Sequence, residues 1–134
     1  MPELTVAAET VAFLIEKTRE FDVKEGATDP DSGSNATDDN MVDVLADNGR
    51  DPVAQEITSL VNGLSEDEQI DLIALMRLGR GDAGIEEWDR LWRETRDTRE
   101  QPAARILLGE PLVSDYLAEG LSAFGIDWVD AAPD

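Results

Sequence analysis

The chain has 134 residues, 31 of them acidic and 11 basic, for a net charge of −20. It has no Cys and no His, which excludes disulfides, thiolate metal sites, thiol nucleophiles and every Ser-His or Cys-His catalytic arrangement. Its 41% hydrophobic content is too high for a wholly disordered acidic chain and calls for one packed domain over residues 1–134, burying roughly two-thirds of its unfolded surface. Duplex nucleic acid is excluded as a partner, because phosphate affinity comes from Lys and Arg; basic proteins and cations fit the field better.

The apolar spacing is helical nearly throughout and nowhere alternates long enough for a strand. A first helix is expected over Pro2–Val23, with Ala7, Val11, Leu14, Ile15, Thr18 and Phe21 on one face. Residues 24–40, "KEGATDPDSGSNATDDN", have no large apolar side chain and read as an acidic loop rich in Gly, Ser, Asp and Asn. The Asp29-x-Asp31 pair within it does not make a calcium loop, because Gly33 is one position early and Asn40 stands where a bidentate Glu is needed. Asp38 or Asp39 caps a short helix, "MVDVLAD".

Asp51-Pro52 is a helix start: an N-cap followed by proline at the first helical position. Val53, Ile57, Leu60, Val61 and Leu64 follow at helical spacing, and Asn62-Gly63 is the stop. Ser65 and Glu68 make a capping box, and Glu66, Asp67 and Glu68 place negative charge at the positive end of the helix dipole. Ile70, Leu72, Ile73, Leu75, Met76 and Leu78 then surround the whole circumference. A helix apolar all round is a buried, central helix. Gly79 is expected as its left-handed cap, and Asp82 as a cap for the helix that begins near Gly84.

That next helix carries Ile85, Trp88, Leu91, Trp92 and Thr95 as a stripe, so both tryptophans are assigned to the core. Pro102 and Pro111 open two more helices, ended by Gly109 and Gly125, and residues 130–134 read as a frayed tail. The fold class is therefore all-α: a single compact bundle of about six helices, with the acidic loop after the first. The acidic N-terminus and the short apolar runs argue against a signal peptide, a membrane association or a membrane span, so a cytoplasmic location is expected.

Several stretches in order, "ETVAFLIEKTREFDVKE", "SNATDD", "GLSEDEQIDLIALMRLGRGD", "EEWD" and "ILLGEPLVSDYLAEGLSAFG", resemble a family of small acidic bacterial proteins, chiefly alphaproteobacterial, catalogued as a domain of unknown function. The resemblance runs from Leu4 to about Gly125 and implies a small helical protein, with no catalytic role to transfer.

Candidate site residues are few. Arg80-Gly81-Asp82 with Glu86 and Glu87 forms an acidic turn suited to a basic partner or, weakly, a divalent cation. No phosphate loop is expected there, since the Lys and Ser/Thr that follow its last Gly are missing. Tyr116 and Trp128 each join an apolar body to a polar tip and are the candidate contact anchors. The reading that follows is a non-catalytic protein-interaction module without a cofactor, binding a protein partner or itself. Two alternatives stand beside it. One is a magnesium-dependent nucleotide hydrolase using Glu86-x-x-Asp89 and Glu94-x-x-Asp97. The other is an acidic DNA mimic that occupies a basic protein.

Overall fold

The computed structural model describes residues 2–32 and 51–131. The short helix expected over 41–47, its caps Asp38 and Asp39, and residues 33–40 of the expected loop lie outside the described residues.

Within them are seven α-helices and no strand: α1 Ala8–Ser32, α2 Pro52–Asn62, α3 Glu66–Arg80, α4 Trp88–Thr98, α5 Ala103–Leu108, α6 Val113–Ala123 and α7 Trp128–Ala131, with a 3₁₀ turn at Ile85–Glu87. Helix α3 is the axis. It packs most extensively on α6 and also against α4 and α5, while α1 lies against α6, α2 and α7. Every α3 residue from Ile70 to Met76 is buried, as is Leu78. The central, all-round-buried helix expected from Ile70–Leu78 is thus observed.

The starts of α2 and α3 follow the local chemistry. The Asp51 carboxylate accepts from Val53 N at 2.8 Å. Ser65 Oγ accepts from Glu68 N at 3.2 Å while Ser65 N donates to Glu68 Oε1 at 2.9 Å, so two otherwise unpaired N–H groups satisfy each other's residues reciprocally. Proline opens α5 from the N-cap position.

Four expectations are corrected. Helix α1 starts at Ala8, not Pro2. The backbone N–H groups of Thr5 and Val6 are spent on the Asp71 carboxylate, which holds residues 2–7 off the helical path. Val6 is buried in consequence and Ala7 is exposed. At its other end the α1 backbone continues past Val23 to Ser32; the first nine residues of the expected loop are helical. The left-handed cap of α3 is Gly81, with φ 97°, and not Gly79. Gly79 is needed for a different reason: a Cβ there would stand 1.8 Å from the backbone oxygen of Tyr116. The reciprocal contact is Gly120 on α6, where a Cβ would meet Leu75 O at 2.5 Å. The two glycines let α3 and α6 touch backbone to backbone. Finally, Trp88 is core, packed edge-on to Phe124 with ring centroids 4.9 Å apart, but Trp92 is only half-buried and turns its indole N–H to Asp71.

Among the described residues no helix is long and apolar enough to cross a membrane.

Candidate functional site: an arginine-lined groove beside the central helix

The C-terminal turn of α3 carries Arg77 and Arg80, one helical turn apart, on the side that faces α4 and the chain leading into α5. Arg77 Nε donates to Asp82 Oδ2 at 3.1 Å, Nη1 to Thr95 Oγ1 at 2.9 Å and Nη2 to Glu94 Oε1 at 2.9 Å. Arg80 grips the same carboxylate with its fork, Nε to Oδ1 at 3.2 Å and Nη2 to Oδ2 at 2.7 Å, and reaches Glu110 with Nη1 at 3.0 Å. Bidentate guanidinium–carboxylate contacts are among the stronger hydrogen bonds available to side chains. Here they fix one end of α3 to α4 and to the α5–α6 connection.

This changes the role expected for Asp82. It does not cap the following helix, whose N-cap is Gly84 with no side-chain bond; both its oxygens face back onto α3. The flanking guanidinium groups, Arg80 foremost, hold its carboxyl below the usual Asp range. Each Asp82 oxygen already accepts from an arginine, so the Arg80–Asp82 unit offers little to an incoming cation. Glu86 and Glu87 are exposed and lie outside this network. Glu87 pairs with Arg90 at 3.4 Å and accepts from Gly84 N at 3.5 Å. The carboxylates considered for magnesium are divided: Glu94 bonds Arg77 and Asp97 bonds Arg96. Among the described residues no group of three Asp or Glu is placed to hold a metal ion.

Tyr116 and Trp128 sit elsewhere, and neither is part of the Arg80 turn. Tyr116 is half-buried on α6 with its backbone against Gly79. Trp128 is half-buried on α7, with the Arg19 guanidinium 5.0 Å from its ring centre; Arg19 also pairs with Asp115 at 3.7 Å.

Next to the ion-pair network is a groove of about 510 Å³, floored by Ile73 and Ile106 and walled by Arg77, Arg80, Glu94, Thr95, Thr98, Arg99, Glu100 and Gln101. That volume lies in the range of ligand sites. Arg99 enters it from the chain after α4, where its Nη1 donates to Gln69 Oε1 at 3.2 Å and its Nη2 lies 3.6 Å from Glu66. Gln69 in turn donates to Val61 O at 2.8 Å, tying this wall to the end of α2. The sequence reading singled out Arg80 but missed Arg77, Arg99 and Thr95, because the groove joins residues from three helices and a connection. One signal was available. Residues 77–105 hold seven Arg and seven Asp or Glu and are neutral, so the other four basic and 24 acidic residues carry the whole −20.

Asp71, also unremarked at the level of sequence, is the most buried acid among the described residues, at 1% exposure. Its Oδ2 accepts from Thr5 N and, at 2.9 Å, Val6 N; its Oδ1 accepts from Trp92 Nε1 at 2.8 Å. Burial pushes its carboxyl above the ordinary Asp value, against the opposing pull of these three donors. It latches both the N-terminal segment and α4 onto α3. The signal for it was a lone carboxylate inside an otherwise apolar helical run.

A family model described as "Protein of unknown function (DUF3775)" matches residues 54–126, a span that contains the whole groove and Asp71 and leaves out α1. The chain matches no curated protein and no solved structure.

Proposed function

The chain belongs to the DUF3775 family, whose description assigns no activity, and we propose from its own geometry that it is a non-catalytic interaction module that receives a segment of a partner protein in the arginine-lined groove. One observation carries this: an apolar floor of Ile73 and Ile106 bordered by charged and hydroxyl-bearing side chains, open on a stretch, residues 77–105, whose acidic and basic residues balance. An apolar strip with a polar border is the anatomy of a protein contact. The ion pairs that wall it hold its side chains in place before anything binds, which lowers the entropy that binding must overcome. The rest of the surface, with its large negative charge, keeps the molecule from associating with other acidic proteins and with nucleic acid.

The test is site-specific photo-cross-linking in extract of the source cells. A benzophenone side chain at exposed Thr98, on the groove wall, is compared with one at exposed Glu16 on α1. A discrete adduct from position 98 that is absent from position 16, and that disappears when Ile106→Arg is added, is the expected result. Identical adducts from both positions, or none from position 98, would defeat the reading.

A further inference from the structure

Resting on that reading, we propose that the groove recognises a carboxylate group presented by the partner's polypeptide segment. The three guanidinium groups on its wall decide this. Arginine has five N–H donors and no acceptor. Arg77 uses three of its donors on Asp82, Thr95 and Glu94, and Arg80 uses three on Asp82 and Glu110. Arg99 makes one hydrogen bond, to Gln69, and one long ion pair, to Glu66. Among the described residues, each therefore keeps at least two N–H groups for something else. The side chains of Arg77 and Arg99 are about a fifth exposed, at 22% and 21%, and that of Arg80 is 38% exposed, so they are partly desolvated and still reachable.

The internal bonds do not consume the site; they aim it. Asp82, Glu94 and Glu110 hold the guanidinium planes of Arg77 and Arg80, and Gln69 holds that of Arg99, so a ligand need not immobilise flexible side chains. A planar acceptor with two oxygens is the group that arginine N–H pairs match best. A phosphate would match the same donors, but Glu94 and Glu100 also line the groove, and they oppose a dianion more than a singly charged carboxylate. Ile73 and Ile106 leave room beside the carboxylate for an apolar neighbour in the same segment. A basic segment would meet two carboxylates on the wall, Glu94 and Glu100, against three guanidinium groups, and Glu94 is already bonded to Arg77.

The full chain, labelled with ¹⁵N, is titrated with N-acetyl-Leu-Ala-Leu bearing a free C-terminal carboxylate, with its C-terminal amide, with N-acetyl-Leu-Asp-Leu amide, and with inorganic phosphate. The expected result is saturable shifts of the Arg77 and Arg99 side-chain N–H signals and of the Thr95 and Thr98 amides with the carboxylate-bearing peptides. Removing the charge, as in the capped Leu-Ala-Leu, should weaken binding by roughly tenfold or more, the usual consequence of losing hydrogen bonds to a charged group. R99Q should weaken carboxylate binding similarly, whereas Arg90→Gln, outside the groove, should leave it unchanged. The two acidic peptides separate a chain terminus from an acidic side chain as the source of the group. Equal binding of the capped and free peptides, undiminished binding by R99Q, saturable shifts with phosphate alone, or no shifts with any probe would each overturn the carboxylate assignment. Position-98 cross-linking would survive those failures, so the groove reading and the ligand class can fall separately.

Discussion

Gly79 of α3 and Tyr116 of α6 meet backbone to backbone: a methyl group on Gly79 would sit 1.8 Å from the Tyr116 carbonyl oxygen. On helix propensity alone, Gly79→Ala should stabilise the protein by about 1 kcal/mol. The contact reverses that sign, because backbone cannot move aside as a flexible side chain can, and the helices would have to separate. Gly79→Ala is expected to lower stability by at least the roughly 1–3 kcal/mol typical of overpacking. Gly81→Ala, which meets no neighbour but has φ 97°, should cost only the left-handed backbone penalty of about 1–2 kcal/mol. Urea denaturation of both variants measures the difference; a stabilised Gly79→Ala would show that α3 and α6 do not pack this way.

Asp71 gives a pH signature of a definite sign. Its folded-state pKa is raised above the ordinary value of 3.8, so the folded protein binds a proton before the unfolded chain does. Its contribution to stability therefore grows as pH falls from neutrality through the raised pKa, and is lost again as pH rises through it. D71N should flatten this part of the stability–pH curve. At neutral pH it should also weaken the latch, because an Asn amide can accept through only one of the two atoms that now face Thr5, Val6 and Trp92. Denaturant midpoints of D71N and wild type across this range decide it: parallel curves would mean that Asp71 does not titrate in the fold.

Trp92→Phe isolates one arm of the same latch. It keeps an aromatic ring on α4 and removes the indole donor, leaving Asp71 with the two backbone N–H groups. A loss of about 1–3 kcal/mol is expected for a hydrogen bond to a charged acceptor. In the D71N background the same change should cost less, since the pair acts as a unit. Additive costs would show that the bond contributes nothing of its own.

Asp82 has the opposite sign. Its pKa is lowered by Arg80 and Arg77, so its contribution is present above the ordinary Asp value and disappears as pH falls through the depressed folded value. Arg77→Gln, which removes one partner, should shift that acid-side loss to higher pH while costing little at neutrality, because the pairs are partly exposed and solvent screens them. Acid titration followed by tryptophan fluorescence reports it; an unchanged acid limb would mean that Arg77 does not hold Asp82.

Much of the fold was legible in the residues because the signals were local. The Ser65–Glu68 capping box, the Asp51-Pro52 start and the apolar run Ile70–Leu78 each act within a turn or two of helix, and each forms where the pattern puts it. Apart from the far end of α1, the errors were about partners remote in sequence. Gly79 resembled a cap because a glycine near a helix end commonly is one, and only α6, some forty residues on, reveals why it is there. Asp82 looked forward by habit of sequence, whereas Arg77 and Arg80 compete for it with full charges.

The sequence by itself determined the all-α class, the central helix, the absence of thiol and imidazole chemistry, and a charge of −20. Tertiary structure alone decided which charges are exposed and which are spent. It brought Arg77, Arg80 and Arg99 to one groove and gave Asp71 three distant donors. The reason is that helical periodicity fixes what shares a face of one helix, whereas a groove is made by faces of several, and their docking depends on two glycines whose purpose is visible only across the interface.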